Sequence, residues 1–106
     1  MQLNFNVPLV SFDGQLIEAG KPITLKQMAI LALSVAFPDE QGIGGDEKFK
    51  RYQLADRISQ STDAVEVTAE EIAKIKMLLG KGWGAMIVGP SYLLLEGGSA
   101  SEGHVG

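Results

Sequence analysis

Apolar residues change their spacing several times along the chain, and each change marks an element. On either side of Asp13-Gly14 they alternate with polar ones, with Leu3, Phe5 and Val7 before it and Leu16 or Ile17 after it. Asp-Gly favours positive φ at both central positions of a type I′ turn, so this stretch predicts a β-hairpin. Pro8 cannot donate to a ladder, which makes the first arm irregular there or places it at an edge. From Leu25 the spacing becomes three and four. Thr24 and Gln27 form a capping box, Ile23 and Met28 stand at staple positions, and Leu25, Met28, Ala29, Leu31, Ala32, Val35 and Ala36 cover most of a helix that ends before Phe37-Pro38.

The stretch from Pro38 to Gly45 reads as a mobile, solvated connection. A second helix then covers "DEKFKRYQLADRISQ", acidic in its first turn as the macrodipole favours, with Phe49, Tyr52, Leu54, Ala55 and Ile58 directed inward. The capping box recurs at Thr68 and Glu71 and opens a third helix with a buried stripe at Ile72, Ile75, Leu78 and Leu79. The segment "VEV" before it fits a third strand beside the hairpin.

The glycines of "LLGKGWGAMIVG" decide between a ligand loop and a helix boundary. Gly80, Gly82 and Ala85 satisfy G-x-G-x-x-G/A, with Glu102 about twenty residues on. That motif needs a strand before the loop and a helix after it, so that helix-terminal amides meet the phosphate. Here a capped helix precedes it, and the other phosphate loop is absent because glycine follows Lys81. The glycines therefore predict a helix C-terminus, with positive φ at Gly80 and Gly82, Lys81 on the last free carbonyls and Gly84 at a close backbone approach. Positions 72, 75, 79, 83, 86, 90 and 93 keep a helical phase across them. This predicts a helical hairpin or a sharply bent pair, with Pro90 opening the second half of the last helix.

Composition narrows the function. At 45% hydrophobic and 21% charged, the 106 residues suit one compact domain, taken as 1–96, with a disordered polar tail over 97–106. A net charge of −4 argues against a polyanionic partner. No cysteine is present, which removes disulfides and thiolate sites, and the one histidine, His104, lies in the tail. The longest apolar helical run, ten residues, is too short to span a bilayer, and the N-terminus has no basic region followed by a sustained apolar run, so a cytoplasmic location is expected.

No metal, cofactor or catalytic residue is nominated. "DEQGIGGDE" departs from a calcium loop, with Gln41 and Ile43 at ligand places. Asp39/Glu40, Asp46/Glu47 and Glu70/Glu71 are adjacent pairs that do not face each other on a helix. The serines lack a neighbouring histidine. Lys48, Lys50, Arg51 and Arg57 recur on the second helix, which supports the alternative of a nucleic-acid-binding regulator, but Glu47 and Asp56 interrupt them. Trp83 and Tyr92, among glycines and after a Gly-Pro-Ser turn, are candidate partner anchors together with Met86. The competing assignment for Trp83 is a core plug, and Met28, Met77 and Met86 also suit gap-filling.

The Asp-Gly hairpin, "KPITLKQMAILAL", "DEKFKRYQLADRI", "VEVTAEEIAKIKMLLGK" and "VGPSYLLLEG" together resemble small proteins encoded by tailed bacteriophages and prophages, over residues 3 to 97. The resemblance implies a bacterial cytoplasm and a non-enzymatic role in virion assembly or in modulating a host process. "GKGWGAMIVGP" is richer in glycine than that pattern. The expected architecture is α+β, an N-terminal β-hairpin on a bundle of three to four short helices. The expected function is protein–protein interaction with a phage or bacterial protein, without cofactor or membrane, and with homo-oligomerisation open. A small-molecule binder is the remaining alternative.

Overall fold

The computed structural model describes residues 1–97, and the expected tail beyond Gly97 lies outside them, His104 and Glu102 included. The fold is α+β, antiparallel β structure at the N-terminus covering a bundle of four helices. β1 (Gln2–Asn4) pairs antiparallel with β2 (Ala64–Glu66), Leu3 opposite Val65. The "VEV" segment is thus a strand, joined to the very start of the chain.

Between β1 and the first helix the chain makes single antiparallel bridges, Val10 with Leu16, Glu18 with Pro22 and Pro8 with Thr24. Leu9 donates to Ile23, Ile23 to Ile17 and Ile17 back to Leu9, at 2.8, 2.9 and 3.0 Å, closing three short segments into a ring of backbone hydrogen bonds. The hairpin turn differs from the predicted type I′. Only Gly14 has positive φ (85°), and Gly14 N–H donates to Ser11 O while Ser11 N–H donates to Gln15 O. The connection is therefore three residues long, Phe12 to Gly14, with the left-handed glycine closing it. Asp13 fixes this form: its carboxylate accepts from the Ser11 hydroxyl and from Gln15 N–H, and these bonds hold it below the usual carboxylate range.

α1 (Leu25–Ser34) starts at the predicted capping box, in which Thr24 and Gln27 bond each other's backbone amides. α2 (Gly45–Ser59) follows, after a short 3₁₀ helix at Pro38–Glu40. Its inward face keeps Leu54, Ala55 and Ile58 of the predicted set but replaces Phe49 and Tyr52 with Arg51. Arg51, Leu54, Ala55 and Ile58 are buried, at the i, i+3, i+4, i+7 spacing of one stripe, whereas Phe49 and Tyr52 are exposed. The stripe is completed by an arginine, which a search for apolar periodicity passes over.

α3 (Ala69–Gly82) carries the second capping box and buries Ile72, Ile75, Leu78 and Leu79 as predicted. Gly80 and Gly82 belong to this helix and do not take positive φ, contrary to expectation. Their use is close approach. A Cβ on Gly80 would stand 3.0 Å from the Tyr92 hydroxyl, and one on Gly82 would stand 2.8 Å from the Phe37 ring. Gly84 has open space instead and serves as the N-cap of α4 (Ala85–Leu95), which contains Pro90 in its interior and does not restart there. The missing Pro90 N–H leaves the Met86 carbonyl without its helical donor, and Met86 is exposed. The break at Trp83, which is extended at φ −135° and ψ 158°, also ends the helical phase: Met86 and Leu93 are exposed and share no buried stripe with Ile72.

The core gathers Phe5 and Leu9 from the N-terminal segment with Leu25, Ala29, Ile58, Ile75, Leu78, Leu79 and Leu95 from the helices. Among the described residues one buried polar side-chain atom, the Ser91 hydroxyl, has no hydrogen-bond partner. The Gly82 contact yields a test. Overpacking costs about 1–3 kcal/mol, more than the roughly 1 kcal/mol at most that alanine adds within a helix. Gly82→Ala is therefore expected to lower the thermal midpoint, read by circular dichroism. An unchanged or raised midpoint would mean that Phe37 moves aside freely.

Candidate functional site

The three candidate anchors do not form one exposed patch. Trp83 is half-buried, its ring edge-on to Phe37 with centroids 6.3 Å apart, and it packs against the core at the junction of α3 and α4. Tyr92 is also half-buried. Its hydroxyl donates to Lys76 O at 2.5 Å across the gap that Gly80 leaves, and the Lys76 ammonium lies 4.9 Å from its ring centre. Tyr92 is thus a strut between α3 and α4. Of the three, only Met86 faces solvent, and Leu93, two turns on, faces it as well. At 100° per residue, positions 86, 89, 90 and 93 share one side of α4, with Tyr92 about 120° round from Met86.

That side of α4 has unusual chemistry. The helix reads AMIVGPSYLLL, without a single charged side chain, and only Ser91 and Leu95 of its eleven residues are buried. Such a helix is normally enclosed. Its ends are electrostatically unfinished too. Gly84 offers no side-chain cap and no acid stands in the first turn, while Glu96, at the negative end of the macrodipole, is held by Lys76 at 2.8 Å. Leu93 keeps the helical phase of Ile72 by spacing, yet it is exposed because the helix breaks at Trp83.

A second region is built around Arg51. Its guanidinium donates to both oxygens of Glu40 at 2.9 and 2.8 Å and to Glu47 at 3.0 Å. The Arg51 and Glu40 side chains are only 6% and 8% exposed. Lys81 also reaches Glu40 at 2.8 Å and Asp39 at 3.2 Å, and Lys74 reaches Glu47 at 3.0 Å. The predicted mobile connection is in fact anchored at Glu40, and Lys81 pairs with these carboxylates and not with helix-end carbonyls. Arg51 first and Lys81 second hold the Glu40 carboxyl down to about 2, against the opposing effect of burial. Lys74, then Arg51, lowers Glu47, and Glu40 in turn raises Arg51. Three acids face three bases, so the cluster is neutral and its groups are engaged with one another.

Arg51 and Glu40 also line a cleft of about 470 Å³ between the end of α1, the connection and α2, together with Leu33, Val35, Ile43 and Tyr52. The four basic residues of α2 do not act as one face: Arg51 is buried and Arg57 is paired with Glu71 at 2.6 Å. Other exposed aromatics, Phe12 at the hairpin tip and the stacked Phe49 and Tyr52, stand singly or in a pair, as is ordinary on a surface. Among the described residues no group of three His, Asp or Glu side chains is placed to hold a metal ion, and no helix is long and apolar enough to cross a membrane. Compared with protein-family models, curated proteins and solved structures, the chain matches none.

The ion cluster predicts acid sensitivity. Because the Glu40 carboxyl titrates lower in the folded chain than its ordinary 4.5, its contribution to stability is complete above that value and is lost as pH falls toward 2. Urea unfolding of the wild type and of Glu40→Gln should show a gap in midpoint at pH 7 that closes between pH 4.5 and about 2. A gap independent of pH would contradict the pairing.

Proposed function

We propose that this is a small non-enzymatic protein–protein interaction protein that docks through α4. The supporting observation is the charge-free helix Ala85–Leu95 at the surface, with Met86 and Leu93 each about half exposed. Contiguous apolar surface is costly to leave in water, and on folded proteins it marks binding faces. Met86 and Leu93 make the contact, while Trp83 and Tyr92 hold α4 in place behind them. The resemblance to phage and prophage proteins supplies the setting, the cytoplasm of a bacterial host, and the role, virion assembly or modulation of a host process.

The test compares capture of bacterial and phage proteins by the wild type, Met86→Glu, Leu93→Glu and the α2 control Phe49→Glu, each checked for an unchanged thermal midpoint. Loss of captured partners in the two α4 variants only is expected. Folded α4 variants that keep every partner would refute docking through this helix.

A further inference from the structure

We propose that the outer face of α4 is closed by a second copy of this chain, α4 against α4, antiparallel about a two-fold axis between Gly89 and Pro90. The inference rests on the reading of α4 as a docking face and names its occupant. Three observations carry it.

The first is charge. Each copy has a net charge of −4, so two copies repel over most of their surface and can approach closely where neither carries charge. α4 is such a place.

The second is the pair of unfinished helix ends. α4 begins at Gly84 without a side-chain cap or an acid in its first turn, and ends at Glu96, whose carboxylate stands at the wrong pole of its own helix, where Lys76 pairs with it at 2.8 Å but leaves it about half exposed. An antiparallel neighbour sets each Glu96 beside the other copy's uncapped amides. One geometry thus gives each uncapped helix start an acid and each half-exposed Glu96 a second positive partner, and a two-fold axis requires that reciprocity.

The third is shape. Met86 lies three residues before Gly89 and Leu93 four after it, so a two-fold axis between Gly89 and Pro90 places Met86 against the second copy's Leu93. A Cβ at Gly89 would meet nothing within 4 Å in a single chain, leaving room there for the second helix to come close. An eleven-residue helix pair is small beside the roughly 1,600 Å² of a standard interface, so a reversible association is expected.

Light scattering on the eluting full chain, from about 1 to about 100 μM, reads the association directly. The wild-type mass should rise from one chain toward two, Leu93→Glu should remain at one chain with an unchanged circular dichroism spectrum, and Glu96→Gln should weaken the dimer severalfold. Because the chain has no cysteine, Gly89→Cys introduces a single thiol beside the axis. Under mild oxidation it should form a disulfide-linked dimer at least about tenfold faster than Gln53→Cys on the exposed face of α2. A wild type that stays at one chain's mass overturns the proposal, as does a dimer that Leu93→Glu and Glu96→Gln leave intact, or equal cross-linking of the two cysteine variants. If the wild type stays at one chain's mass while Leu93→Glu still loses its captured partners, docking through α4 stands and the second copy is rejected. If Leu93→Glu changes neither, both are rejected.

Discussion

A buried arginine holds the helical layers together. Arg51 occupies a core position of α2, where an apolar side chain would satisfy the packing, and its guanidinium must be compensated because burying an unpaired charge costs several kcal/mol. Compensation comes from Glu40, on the connection after α1, in the bidentate geometry that suits a planar guanidinium. Lys81 and Lys74 then extend the contact to α3. The cluster thereby fixes the end of α1, the connection, α2 and α3 relative to one another, and the direction of α3 sets where α4 must lie.

α4 depends on that arrangement through two close approaches. Phe37 rests on Gly82, with the Lys81 ammonium 5.5 Å from its ring centre, so the same lysine serves the ion cluster and the aromatic contact. Tyr92 reaches across Gly80 to the α3 backbone. The Tyr92 contact uses the inner side of α4, the Phe37 contact fixes the end of α3 just before it, and both leave the outer side of α4 uncovered. A helix that would ordinarily lie inside a larger core is thus presented at the surface by rigid supports, which would give the proposed docking face precision without ordering a loop.

What was legible in the sequence was local. Both capping boxes, the α3 stripe and the Asp-Gly hairpin follow from residues within a few positions of each other, where hydrogen-bond geometry fixes the outcome. The pairing of β1 with β2 joins segments some sixty residues apart, and three-residue strands carry too little pattern to announce a partner. Periodicity read from apolar types alone passes over Arg51, so the salt cluster and the exposure of Phe49 and Tyr52, in whose stead Arg51 is buried, share one cause. The glycines of α3 were assigned to positive φ, their commonest use near a helix end, whereas their lack of a Cβ admits Phe37 and Tyr92. Among the candidate anchors Met86 is exposed, and Leu93 is exposed beside it because the helical phase, which places both with Ile72, is reset at Trp83.

The dependence on Arg51 and Glu40 is tested most directly by a double-mutant cycle of Arg51→Met and Glu40→Met, read as urea midpoints at neutral pH. Removing either partner alone leaves the other buried and under-compensated, whereas removing both leaves an apolar contact of similar volume. The expected result is that each single variant unfolds at lower urea than the wild type and that the double variant recovers much of the loss. Losses that simply add would contradict the pairing as the constraint on which the fold rests.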